Sequence, residues 1–121
     1  RNYAAKQGVN ILDMSSNFIT IYLEDLWKRE YPKQDRGFIH TCEWEELTLP
    51  VNELTADPPK DMRKAKNYLR LLQEGTADFP PLVCVNRMVI DGQHRFWAYR
   101  QAGFQQVKVY QNKPWAMPAA A

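Results

Sequence analysis

Cysteine is scarce in these 121 residues, with two thiols, Cys42 and Cys84, and no Cys-x-x-Cys pair. Both sit in apolar, strand-like surroundings, where a buried free thiol is the ordinary outcome, so a disulfide framework is not expected. Histidine is equally sparse. His40 and His94 stand apart from any Cys or carboxylate cluster at ligand spacing, which leaves no metal motif. His40 and Cys42 would share one face of a strand, but nothing near them supplies an oxyanion hole for a Cys–His nucleophile. No apolar run nears the roughly 20 residues that span a bilayer; the longest, Phe18 to Leu26, is broken by Thr20, Glu24 and Asp25. No secretory core is present at the N-terminus, so a cytoplasmic location without membrane partners is the expectation. Arg1 in place of a methionine and a Pro-Ala-Ala-Ala end read as a processed or excised piece.

What remains is an ordinary globular composition, 45% hydrophobic and 25% charged, of a length that suits one domain. The net charge of +2 conceals an asymmetry: residues 1–58 hold 6 Lys/Arg against 10 Asp/Glu, a net of −4, and residues 59–121 hold 10 against 4, a net of +6. An anionic partner is therefore expected in the second half, with a solvated basic face as the alternative.

Along the chain, Phe18, Ile19, Tyr22, Leu23 and Leu26 recur at helical spacing, and Ser15 or Ser16 offers a cap. The β-branched content of residues 18–22 argues for a strand, but the helix is favoured, ended by Pro32. Residues 31–37 read as a loop, Phe38 to Trp44 as strand-like, and Leu47 to Val51 as a second extended run that Pro50 places at a sheet edge or at its own end. Asp57-Pro58-Pro59 reads as a turn that starts a helix running to Glu74, with Met62, Ala65, Leu69 and Leu72 inward and Gly75 as C-cap. Arg63, Lys66 and Arg70 form a parallel basic stripe, suited to a nucleic-acid backbone or to solvent. Leu82 to Val85 and Met88 to Ile90 form a hairpin about Asn86-Arg87, followed by a helix over 93–102 and a half-buried strand over 106–110. The fold class is α/β (α+β), a small mixed sheet flanked by helices.

The chemistry-bearing segment is Asp91-Gly92-Gln93-His94-Arg95. A strand that runs directly into a helix presents the helix's unpaired N–H groups at the sheet edge, where they and the helix dipole attract an anion. Gly92 permits a sharp turn and close ligand approach. His94 and Arg95 add charge-assisted contacts, Arg95 as a bidentate phosphate clamp. Cations in a first helical turn oppose the dipole, and such local conflicts gather at functional sites. The alternative is that Asp91 merely caps the helix while His94 and Arg95 are solvated. Trp97 and Tyr99, just beyond, are candidates to stack on a base or to serve as core.

The segment Leu82-Val-Cys-Val-Asn-Arg-Met-Val-Ile-Asp-Gly-Gln-His-Arg-Phe-Trp-Ala-Tyr-Arg-Gln-Ala-Gly-Phe-Gln-Gln-Val-Lys-Val-Tyr110 resembles the C-terminal half of the ParB/sulfiredoxin superfamily, and Glu46 to Leu54 is similar to its first strand. The resemblance covers residues 43–111. It divides the chain into an N-terminal helical or strand extension (1–42), a ParB/sulfiredoxin-like domain (43–112) and a tail (113–121). It implies that Gly92, Gln93, His94 and Arg95 hold the phosphates of ATP, ADP or CTP, with or without Mg²⁺. Gln93 stands where sulfiredoxins carry their catalytic Cys, so sulfinic-acid reduction is not implied. Thr55-Ala-Asp-Pro-Pro59 stands where chromosome-partitioning relatives carry Asn-Pro-Arg, and their helix-turn-helix region is not expected for want of room, so a centromere-clamp role is not implied. Free-serine kinases of this superfamily pair an Asp-Gly-x-His-Arg motif with a carboxylate after the first strand. On that likeness Asp91, Asp57 and Glu53 are the catalytic candidates for NTP hydrolysis or phosphotransfer. The Asp-Gly-Gln-His-Arg wording is also similar to proteins of DNA-modification systems. A DNA-associated, nuclease-like or regulatory module is the alternative, as is a non-catalytic scaffold from a phage, plasmid or other mobile element. Residues 1–42 would complete the core, form a homodimer or cover the nucleotide.

Overall fold

A computed structural model describes the backbone of residues 11–113 and the side chains of residues 17–113. By internal contacts the chain forms two compact units, residues 46–111 and the flanking residues on either side.

In the flanking unit, α1 spans Ile11–Glu30. The helix favoured over a strand is thus the one found, but it starts earlier than a cap at Ser15 or Ser16 would place it. Its buried row is Ile19, Leu23, Leu26 and Trp27, while Phe18 and Ile21 are exposed. The strand expected over Phe38 to Trp44 does not form. Gly37–His40 is a 3₁₀ turn, and strand structure begins only at Trp44. Local bonds hold the turn: the Gly37 N–H donates to Asp35 Oδ1 (2.8 Å) and the Thr41 hydroxyl donates to the Phe38 carbonyl (2.8 Å). The apolar content that mimicked a strand is used for packing. Ile39 is fully buried, and the Trp27 and Phe38 rings meet edge-on at 5.2 Å. Trp44 Nε1 donates to the Ile39 carbonyl at 3.0 Å, which satisfies a buried indole. His40, at the end of the turn, bonds the Glu24 carboxylate, and Cys42 Sγ lies 4.0 Å from the Phe38 carbonyl, so the two do not form a Cys–His pair. That bond to His40 holds the Glu24 carboxyl below its ordinary value, with Arg36 adding to the effect.

The sheet has the order β1-β5-β3-β4-β2, with β1 at Trp44–Pro50, β2 at Thr55–Ala56, β3 at Leu82–Val85, β4 at Met88–Asp91 and β5 at Gln106–Asn112. It is mixed: β3 runs parallel to β5 and antiparallel to β4, β2 runs parallel to β4, and β1 ends where β5 begins, with the Val51 N–H donating to the Gln105 carbonyl at 2.9 Å. Pro50 closes an edge strand, where its missing N–H is harmless. Two helices accompany the sheet, α2 at Met62–Glu74 and α3 at Gln93–Gln101, and they pack most extensively on each other. The α+β class is the one the alternation of elements indicated.

Helix α2 starts later than Pro58-Pro59 would have it. Asp61 is the N-cap, its carboxylate accepting from the Lys64 N–H at 3.2 Å, and the prolines stay outside. A side-chain cap answers a free helical N–H, which a proline at the first position only avoids. Met62, in the exposed first turn, does not face inward, whereas Ala65 is fully buried and Leu69 and Leu72 are half-buried. Gly75 closes the helix at φ 77°. The hairpin turn is as expected, with Asn86 and Arg87 both at positive φ (50° and 68°), as a two-residue type I′ loop requires. The core gathers Leu49, Val51, Leu54, Leu82, Cys84, Val89, Phe96, Val107 and Val109.

Both thiols are free. Burial pushes Cys84 up to about 12 and Cys42 upward as well. At pH 8 the thiolate of Cys84 is about one part in ten thousand, and the thiolate is the reactive form. Labelling of native protein with iodoacetamide is expected to stop at the half-buried Cys42, with Cys84 modified only in denaturant; rapid native labelling of both would contradict the packing.

Candidate functional site

The turn from β4 into α3 is built by three local features. A β-bulge precedes it: Cys84 faces Val89 but Val83 faces Asp91, so Ile90 is the extra residue. Bulges re-aim the residues that follow them and are over-represented beside active sites. Gly92 then takes φ 103°, ψ 25°, a left-handed conformation, and its carbonyl accepts the first helical bond from the Phe96 N–H at 2.7 Å. Space there is as restricted as the dihedral. A Cβ on Gly92 would lie 2.6 Å from Leu82 Cδ2 and 2.9 Å from Arg95 Nη2. The third feature is the ion pair between Asp91 Oδ2 and Arg95 Nη2 at 3.0 Å, with side chains only 12% and 9% exposed. Arg95 Nη1 also donates to the Pro80 carbonyl at 2.5 Å.

These bonds change the roles that the sequence offered. The N-cap of α3 is Gly92, which has no side chain to supply a cap, and the Asp91 carboxylate is turned to Arg95. Arg95 is not displayed as a phosphate clamp. Its guanidinium is buried under the turn, where it braces Asp91 and the Pro80 carbonyl. The physical reason is burial: the sharp turn at Gly92 brings the end of β4 beside the first turn of α3, and a buried carboxylate demands a partner.

The exposed side of the turn belongs to Gly92, Gln93 and His94, all partly accessible. His94 Nε2 accepts from the Asp61 backbone N–H at 3.1 Å, which joins the start of α3 to the start of α2. Burial, and secondarily the nearby Lys64 ammonium, lower the His94 pKa from its ordinary value, with Asp61 opposing. Neither Asp61 nor Lys64 stood out in the sequence; the only signal was an Asp three residues before a Lys at a helix start. The other two carboxylate candidates separate. β2 and β4 are parallel, Ala56 pairing with Val89, so Asp57 follows at the end of the sheet where β4 enters the turn, and it is exposed. Glu53 lies at the opposite end, where it forms an ion pair with Arg87 of the hairpin loop. A four-residue strand spans about 13 Å, which removes Glu53 from the turn's chemistry.

Tyr99 is core: its ring contacts Phe79 at 6.3 Å and Phe104 at 5.1 Å, and burial raises its pKa. Trp97 is half-buried. Arg63, Lys66 and Arg70 are all exposed on α2, Arg70 being engaged by Glu74 at 2.8 Å and Asn67 at 2.7 Å. Among the described residues no group of three His, Cys, Asp or Glu side chains forms a metal cage, and no helix is long and apolar enough to cross a membrane.

No family model matches the sequence, and no curated protein does. Solved structures do. The fold resembles that of a conserved hypothetical protein from Pyrococcus furiosus, with a TM-score of 0.50 at 11% identity over 55% of this chain and 32% of that one. Two structures of pNOB8-like ParB N-domains are also similar. Their TM-scores are 0.49 and 0.46, at 22% and 21% identity, over 59% and 56% of this chain. The chain spans about a third of the length of these proteins, 27–32%. The likeness concerns the fold alone.

Proposed function

We propose that this domain binds the phosphates of a nucleotide (ATP, ADP or CTP) at the start of α3. One observation carries the reading: α3 begins on a left-handed glycine, which has no side chain to cap it, and has no acidic residue in its first turn, whereas α2 is capped by the Asp61 side chain. N–H groups at the positive end of a helix are what an anion requires. Gly92, Gln93 and His94 form the contact surface, and Arg95 with Asp91 holds it in shape. NTP hydrolysis or phosphotransfer would draw on Asp57, the exposed carboxylate at the same end of the sheet, to orient a hydroxyl or water or to share Mg²⁺ with the phosphates. Titration calorimetry with ATP, ADP and CTP, each with and without Mg²⁺, tests the binding. At least one nucleotide is expected to bind; no binding by any of them contradicts the proposal.

A second reading, a DNA-associated module, is favoured by the exposed row of Arg63, Lys66 and Arg70. Removing one cation that neutralises a phosphate should reduce the slope of log affinity against log salt by about 0.9. An Arg63→Ala, Lys66→Ala, Arg70→Ala triple variant is therefore expected to lose DNA affinity and much of its salt dependence in a gel-shift series. Unchanged affinity rejects the stripe.

A further inference from the structure

The hydrogen bond from the Asp61 backbone N–H to His94 Nε2 is a polar tie between the starts of α2 and α3, joining residues 33 apart in the chain. A ring nitrogen accepts a hydrogen bond only when it is unprotonated, so in this arrangement His94 is neutral, with its proton on Nδ1. We propose that His94 is a proton-controlled latch between the two helix starts, closed when the imidazole is neutral and opened when Nε2 takes a proton. The charged groups that face the ring from α2 are Lys64 and Asp61, while its neighbour Arg95 is occupied beneath the turn with Asp91. The Lys64 ammonium and partial burial disfavour the imidazolium, so the closed form prevails at neutral pH.

Opening has a consequence for the site. A phosphate oxygen is an acceptor and needs donors. The closed latch offers it neither Nε2, which is itself an acceptor, nor the Asp61 N–H, which is occupied. One proton taken from solvent onto Nε2 breaks the bond and turns both groups into donors at the start of α3. Anion binding is then coupled to uptake of one proton at His94, so affinity should rise as pH falls. This half of the inference rests on the phosphate reading above; the latch does not.

The experiment uses the full chain and has two arms. In the first, without ligand, amide and imidazole NMR signals are followed from pH 8 to pH 5. The Asp61 amide is expected to shift with the midpoint of the His94 ring, below the ordinary histidine value, and to stay flat in His94→Gln, whose side-chain oxygen accepts the same bond without titrating. An Asp61 amide in the parent protein that ignores the His94 transition overturns the latch. In the second, ATP affinity is measured at pH 6, 7 and 8 on both proteins, the ligand's own titration being common to them. The parent is expected to gain up to about tenfold per pH unit relative to His94→Gln as pH falls, the limit for one linked proton. Equal pH profiles overturn the coupling. Absence of ATP binding at every pH overturns both the coupling and the nucleotide reading for ATP, while the first arm still decides the latch.

Discussion

Replacing Arg95 with alanine is expected to destabilise the fold by about 3–5 kcal/mol, which for a domain of this size lowers Tm by about 10 °C or more. The magnitude follows from burial. Asp91 and Arg95 expose only 12% and 9% of their side chains, so solvent cannot take over when one partner is removed. The variant keeps a buried carboxylate without its cation, and the Pro80 carbonyl loses its donor. One check separates this account from a generic packing loss. Removing both partners, as Asp91→Leu with Arg95→Met, should recover most of the stability, since a buried ion pair replaced by apolar groups is often neutral. Chemical denaturation of the parent, Asp91→Leu, Arg95→Met and the double variant, a double-mutant cycle, measures it. Additive losses, with no recovery in the double variant, would contradict the pairing.

Gly92→Ala is expected to lose about 2–4 kcal/mol by the same measurement, for reasons of backbone and space together. A left-handed φ of 103° disfavours any Cβ, and this Cβ would meet Leu82 at 2.6 Å in a fully buried position and Arg95 at 2.9 Å. Gly92→Asn isolates the two causes. Asparagine tolerates the left-handed region but brings the same Cβ, so the steric account predicts that it falls nearly as far as alanine. An asparagine variant of parental stability would show that conformation alone matters. Neither variant informs on phosphate binding by itself, because both disturb the frame that holds the turn.

How much of this was legible in the sequence depended on the range of the forces involved. The hairpin at Asn86-Arg87, the cap at Gly75 and the alternation from Gln106 to Tyr110 are local patterns, and they are found in place. Residues 38–44 misled because β-branched and aromatic content signals burial on a surface, not a strand as such. Here that surface is met by a turn whose bonds come from Asp35 and Thr41. The motif itself was visible, but its division of labour was not. Whether Arg95 points to a ligand or back to Asp91 depends on the Pro80 carbonyl, 15 residues away. The link from His94 to Asp61 spans 33 residues and has no local signature. Glu53 and Asp57 looked equivalent in one loop, and only the parallel pairing of β2 with β4 sends them to opposite ends of a strand.

Phosphate binding at the start of α3 is tested with least disturbance by Gln93→Glu. Gln93 is the first residue of α3 and partly exposed, so a carboxylate there should suit the helix dipole and leave stability unchanged or raised by about 0.3–1 kcal/mol. The same charge would occupy and repel the proposed anion position. Calorimetric titration of parent and variant with the tightest of ATP, ADP and CTP is predicted to show binding by the parent and at least a tenfold loss in a fully folded variant. Equal binding by the two proteins, or none by the parent, would contradict it.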